Sequence, residues 1–150
     1  MFSTSRAIIP PRVFLYWATG FDNAPQVVQT VVHSWRQRSS LEVVLLNQEN
    51  LAEWIDLDQV LPGWQNLPIQ IQADVIRLQL LHTHAGFWAD ATVLCSESFA
   101  EWLDTCPPGV TLMPWVPESA DKFFDTFFIG APQNSRFIRI WRNGLLRCLQ

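Results

Sequence analysis

The 150-residue chain holds only six glycines, one tyrosine and three cysteines, and only 16% of its residues are charged. There is no Gly-rich loop to cradle a phosphate, and no Gly-x-Ser-x-Gly or Cys–His pattern to mark a nucleophile. Cys95, Cys106 and Cys148 form neither an even disulfide framework nor a metal-ligand spacing, and they read as reduced thiols of a cytosolic protein. Cations are also scarce. The net charge is −4, and beyond Arg36 and Arg38 the linear sequence suggests no basic cluster, which argues against a nucleic-acid partner. No apolar run is long enough to span a bilayer, and Pro10 and Pro11 end the first apolar run before it could act as a signal-peptide core. A peripheral membrane contact stays open.

What the sequence does hold is apolar and aromatic. Hydrophobic residues make up 49%, with eight Trp and ten Phe. That is enough to bury a core and implies one ordered domain over residues 1–150. "RVFLYW" (residues 12–17) and "LEVVLL" (41–46) read as buried strands. Between them Val27, Val28, Val31, Val32 and Trp35 recur at helical spacing, giving a βαβ unit and hence a parallel pair. After a weakly patterned stretch, Pro68 opens a long helix with Ile69, Ala73, Ile76 and Leu80 as its apolar stripe. The helix ends near His84, with Gly86 as the stop signal. "HAGFWADATVLC" (84–95) then reads as a strand, "FAEWL" as a short helix, and "VTLMPW" (110–115) and "DTFFIGA" (125–131) as further strands. Phe137, Ile140, Trp141, Leu145 and Cys148 stripe a last helix. The expected fold is α/β with a mostly parallel sheet flanked by helices. Ligands of such sheets bind beyond the carboxyl ends of the strands, where Trp17, Asn47 and Asp90 are expected to converge.

Asp90 is the residue that asks for an explanation. A carboxylate in an apolar strand is costly to bury alone, so it sits at a strand end or is paired. Asp74 and Arg77 lie three apart on the long helix and share a face offset from its apolar stripe. The plain reading is a surface ion pair worth a few tenths of a kcal/mol. The literal Asp-x-Asp, Asp56-Leu57-Asp58, falls between a helical fragment and a Pro-Gly turn and reads as solvated loop charge. His82 and His84 are two apart and do not share a helix face, so they read as no metal pair. His33 has no partner in sequence.

"ADVIRLQLLHTHAGFWADATV" (73–93) resembles the core motif of capsular-polysaccharide-synthesis-type glycosyltransferases. It is more distantly similar to a family of small sugar transferases that includes yeast mannosyltransferases, and to glucosylating clostridial toxins. The shared pattern is Asp-x-x-Arg, Leu-Leu, then Gly-Gly-x-Trp/Tyr-x-Asp. "VFLYWATGFDNAPQVVQTVVHSW", "LEVVLLNQENLAEWID" and, more loosely, "FFDTFFIGAPQNSRFI" resemble other stretches of the family in the same order. The resemblance implies a Rossmann-like GT-A fold that binds a nucleotide-sugar and transfers its sugar to a saccharide acceptor, in capsule or related glycan synthesis. It implies that Trp17 stacks near the base, and that Asp74 and Arg77 touch the donor sugar and its phosphates. Asp90 takes the place of the first acid of a DXD-like motif. Asp74, Arg77 and Asp90 are thus the catalytic candidates, while Asp90 and Thr92 are the candidate ligands of Mn²⁺ or Mg²⁺.

Three departures stand beside that pattern. Thr92 replaces the second acid, in a form like that of the capsular subgroup. The usual Gly-Gly is Ala85-Gly86. Relatives continue past Gln150, so an incomplete acceptor side is expected. A non-catalytic or partner-dependent module that binds a nucleotide-sugar or a glycan is the alternative, and a structural remnant is the third reading. A cytoplasmic location, at the membrane periphery or not, and a homo-oligomer or partner chain belong to the same set of expectations.

Overall fold

The computed structural model describes residues 8–96, 98–114 and 125–150. In chain order the elements are β1 (Arg12–Tyr16), α1 (Gln26–Arg38), β2 (Glu42–Leu46), α2 (Leu57–Val60), α3 (Ile69–His84), β3 (Gly86–Ala89), α4 (Phe99–Asp104), β4 (Phe128–Ala131) and α5 (Arg136–Leu149). The strands form one sheet in the order β2-β1-β3-β4.

β1 runs parallel to β2 and to β3, but β4 runs antiparallel to β3. The sheet is therefore mixed, which corrects the expectation of a mostly parallel one. The apolar run that forms β4 is buried except at its first residue, and such a run suits either direction. The expected strand over 110–115 reduces to a single bridge, Leu112 to Gly130, among its described residues. Trp115 lies outside them.

Alternation along the strands sorts the core into two faces. Phe14, Tyr16 and Trp88 point to the side covered by α3 and α5, where they join Ile76, Leu80, Leu81 and Ile138. Val13, Leu15, Phe87 and Ala89 point to the other side, against Val31, Val32 and Trp35 of α1 and Phe99 of α4. The result is an α/β domain with helices on both faces of the sheet.

The helical stripes were legible in part. Val28, Val31, Val32 and Trp35 of α1 are buried, but Val27 is 56% exposed. On α5 the core-facing residues are Ile138 and Leu146, with Trp141 and Leu145 half-buried, whereas Phe137, Ile140 and Cys148 are exposed. The sequence stripe was thus rotated from the true contact face by roughly one residue, about 100° of helix.

α3 stops at a backbone reversal. Ala85 and Gly86 both have positive φ, 55° and 108°, so each position of the resembling Gly-Gly pair has a glycine-like conformation. At Gly86 a Cβ would also lie 2.8 Å from Arg12 Cγ and 3.0 Å from the Arg12 carbonyl oxygen. Gly86→Ala is therefore expected to lower stability by about 2 kcal/mol, through combined strain and overlap. A urea denaturation midpoint equal to wild type would refute that.

Candidate functional site

The chain leaves β1 toward β2 on one side and places β3 on the other, so the strand order reverses between β1 and β3. Beyond the carboxyl ends of two such strands the connecting segments diverge and leave a crevice. A cavity of about 440 Å³ occupies that place. Its walls are Tyr16, Trp17, Ala18 and Thr19 at and after the end of β1, Trp88, Asp90, Ala91 and Thr92 at and after the end of β3, and Ile69, Gln70, Ala73, Asp74 and Arg77 from α3.

Asp90 is the first residue after β3, not a residue within a longer strand. Ala91 and Thr92 form a turn that is closed by the Val93 N–H donating to the Asp90 carbonyl at 2.8 Å. Asp90 has the same parity as Trp88, so both face α3. The Trp88 indole N–H donates to Asp90 Oδ1 at 2.7 Å. The Asp90 backbone N–H donates to the Phe127 carbonyl at 2.8 Å, anchoring the strand end to the segment that leads into β4.

Arg77 meets this carboxylate from the helix. One guanidinium nitrogen, Nη2, lies 3.0 Å from Asp74 Oδ1 and 3.7 Å from Asp90 Oδ1. The other, Nη1, donates to the Thr126 carbonyl at 2.6 Å. The guanidinium carbon lies 5.5 Å from the centre of the Trp88 ring, within the range of a cation–π contact. Arg77 is only 6% exposed, while the Asp74 and Asp90 side chains are each more than a third exposed. The pair read from sequence as a surface i,i+3 bridge is thus the inner part of a three-residue cluster in which one buried cation holds two carboxylates at a cavity wall.

The cluster pairs one cation with two carboxylates, and Asp74 responds chiefly to its burial. Burial pushes its pKa above the usual carboxylate value, Arg77 acts next in size in the opposite direction, and the nearby Asp90 carboxylate adds a smaller upward push.

Trp17 lines the cavity as expected. Its backbone N–H donates to the Leu46 carbonyl at 2.9 Å, and its side chain packs against the small cluster of Ala24, Val28 and Ala91. Asn47 does not join the site. Its Oδ1 accepts from the N–H groups of Glu49 and Asn50, as an Asx-type turn residue does. Asp56 caps α2 by accepting from the Gln59 N–H, and Asp58 accepts from Gln65, so the literal Asp-x-Asp is local structure. His84 Nε2 bonds the Trp54 carbonyl at 2.7 Å. Among the described residues no three His, Cys, Asp or Glu side chains gather in a group that could hold a metal ion. Thr92 lines the cavity beside Asp90.

Sequence reasoning missed Tyr16, Trp88, Ile69 and Ala73 as wall residues. Ile69 and Ala73 were assigned to the core, yet Ile69 is 48% exposed and both face the cavity. Trp88 could have been found from its parity with Asp90.

Tyr16 has a further property. Its hydroxyl is buried and, among the described residues, has no hydrogen-bond partner. Burial raises its pKa. A hydroxyl left unpaired costs about 1–3 kcal/mol. Tyr16→Phe is therefore expected to stabilise the fold by about 1 kcal/mol in urea denaturation. Loss of stability in the variant would contradict this.

The family model described as capsular polysaccharide synthesis protein matches residues 3–150. No curated protein matches the chain.

Proposed function

The chain belongs to the capsular polysaccharide synthesis family, and from that premise we propose that it is a glycosyltransferase whose donor, a nucleotide-sugar, occupies the crevice between β1 and β3. The observation that carries this reading is the convergence of Asp74, Arg77 and Asp90 from a helix and a strand end on one cavity wall. Two partly exposed carboxylates held by a buried guanidinium make a rigid pair of acceptors for sugar hydroxyls, with charge-assisted bonds stronger than neutral ones. Arg77 acts chiefly as a positioning residue, since its two terminal nitrogens are already directed at Thr126, Asp74 and Asp90. Trp17, which also lines the crevice, offers a flat apolar face to the base.

In the reaction the bond between the anomeric carbon and the donor phosphate breaks, and its electron pair leaves with the diphosphate. The acceptor hydroxyl bonds to that carbon, and in a retaining reaction its proton passes to a phosphate oxygen of the leaving group. No protein base is then required. The charge that develops on the diphosphate calls for a cation. Asp90 and Thr92 supply one carboxylate and one hydroxyl, a set that fits a Mg²⁺ or Mn²⁺ ion carried largely by the donor's phosphates rather than an all-protein site. Such an ion, when bound, would stabilise the departing diphosphate as a Lewis acid.

One observation favours a second reading, a nucleotide-sugar-binding module that turns over poorly or needs a partner. Among the described residues Arg77 is the lone cation that lines the cavity, and two carboxylates already offset its charge.

Calorimetry with a panel of nucleotide-sugars, with and without Mn²⁺, on wild type and Asp90→Asn tests the proposal. Metal-enhanced donor binding in wild type and its loss in the variant are expected. Equal binding by both proteins would remove Asp90 from the site. Donor hydrolysis without acceptor then separates an enzyme from a binder.

A further inference from the structure

The sequence suggested no basic cluster beyond Arg36 and Arg38, but the last helix brings one together. Of the chain's ten Lys and Arg, four (Arg136, Arg139, Arg142 and Arg147) lie on α5. All fourteen Asp and Glu precede it. The helix therefore carries +4, and the remainder, with six cations against fourteen anions, carries −8.

α5 packs on α3 through Ile138, Leu146 and the half-buried Trp141 and Leu145. Arg142 is turned partly inward and donates to Gln79 of α3. The opposite side combines two kinds of side chain. Arg136, Arg139 and Arg147 are exposed. Beside them Phe137 is 50% and Ile140 59% exposed, and a Cβ at Gly144 would meet nothing within 4 Å. At 100° per residue, Ile140, Gly144, Phe137 and Cys148 form one continuous strip, with Arg136 and Arg147 along its edge. The strip continues onto the groove that Phe137 shares with Val110, which is 41% exposed.

We propose that this face of α5 docks the protein on an anionic lipid surface, Phe137 and Ile140 entering the headgroup boundary while Arg136, Arg139 and Arg147 meet lipid phosphates. Large apolar groups flanked by arginines on an exposed helix face are the composition of an interfacial helix. Arginine can keep its stem along the apolar region and its charge among the phosphates. The charge segregation adds orientation. The acidic remainder is repelled by the same surface that attracts α5, so one face of the protein is selected. No described helix is long and apolar enough to cross a membrane, and the contact is peripheral and reversible, each arginine near the surface changing partitioning about fivefold.

Flotation of the full chain with vesicles of phosphatidylcholine, alone or mixed with phosphatidylglycerol, tests this. Binding is expected for the mixed vesicles, with release at high salt. Arg147→Gln is expected to lower partitioning about fivefold. Arg36→Gln, which removes the same charge from α1, is expected to change it little. Ile140→Asn is expected to reduce binding without changing the circular dichroism spectrum. Mixed-vesicle binding that is indifferent to the α5 variants would overturn the proposal. So would equal α5-dependent binding to a soluble polyanion such as heparin, or an Ile140-dependent dimer that forms without vesicles. A soluble acidic partner and a second copy of the chain are the occupants those last results would indicate. None of these outcomes bears on donor binding in the β1–β3 crevice.

Discussion

Arg77→Met is expected to lower the stability of the fold by about 3 kcal/mol or more at neutral pH, the range found when one member of a buried ion pair is removed. The guanidinium is buried, and its removal leaves the Thr126 carbonyl without this donor. It also leaves Asp74 and Asp90 facing each other without the charge between them. Methionine keeps much of the stem packing, so the loss reports on charge and hydrogen bonding rather than on a cavity. The loss should depend on pH. Asp74 already has a pKa above its ordinary value of 3.8, and Arg77 is what lowers it. A carboxyl whose folded pKa is raised contributes stability that is fully present below its unfolded pKa and is lost as pH rises through the folded value. Removing Arg77 moves that folded value higher still. The deficit of the variant should therefore shrink as pH falls toward the ordinary carboxylate range. Urea denaturation of wild type and variant across acid pH reads this directly. A deficit that is constant with pH would mean that packing, not charge, is what Arg77 contributes.

Asp74→Asn separates site from scaffold in the other direction. Ionised carboxylates bonded to sugar hydroxyls contribute about 1.5–3 kcal/mol each, so donor affinity should fall roughly 10- to 100-fold. Stability should not fall with it. By the same sign rule the raised pKa means that the ionised form is disfavoured by folding at neutral pH, burial being the largest cause. A neutral amide of the same shape relieves that cost while still accepting from Arg77. The pair of measurements is a calorimetric titration with the nucleotide-sugar that wild type binds and a thermal melt of the free protein. A melt well below wild type would show that the Asp74–Arg77 bridge is structural first. An affinity equal to wild type would remove Asp74 from the donor contacts. A trade of stability against binding is the behaviour expected of charge held at a functional crevice.

How far the sequence could be read differs from element to element. β1, α1 and β2 were legible because a short aromatic-aliphatic run and a helical repeat differ in period, and the βαβ order fixes parallel pairing. α3 and the start of β3 were legible through Pro68 and Gly86, whose backbone preferences are local, whereas the end of β3 at Ala89 was not. The direction of β4 was not, because its short apolar run encodes no direction. The contact face of α5 was not, because Phe137 and Ile140 lie next to the buried stripe in angle and only the position of α3 selects between them. The same ambiguity hid the basic face, since Arg136, Arg139 and Arg147 are spread over twelve residues of sequence and gather only when the helix turns.

By itself the sequence determined an α/β domain, and it marked Asp90 as a charge out of keeping with its apolar flanks and Asp74 and Arg77 as a pair on one helix face. Spacing places Asp74 and Arg77 on one helix face, because 3.6 residues make a turn. Only the tertiary structure decided that Asp90 meets them. Trp88 and Asp90 share a side of β3, β3 lies beside β1 where the strand order reverses, and α3 covers that side. A charge on a strand and a charge on a helix have no common period. What brought Arg77 to Asp90 is the packing of one element on the other, and packing is a property of the folded chain.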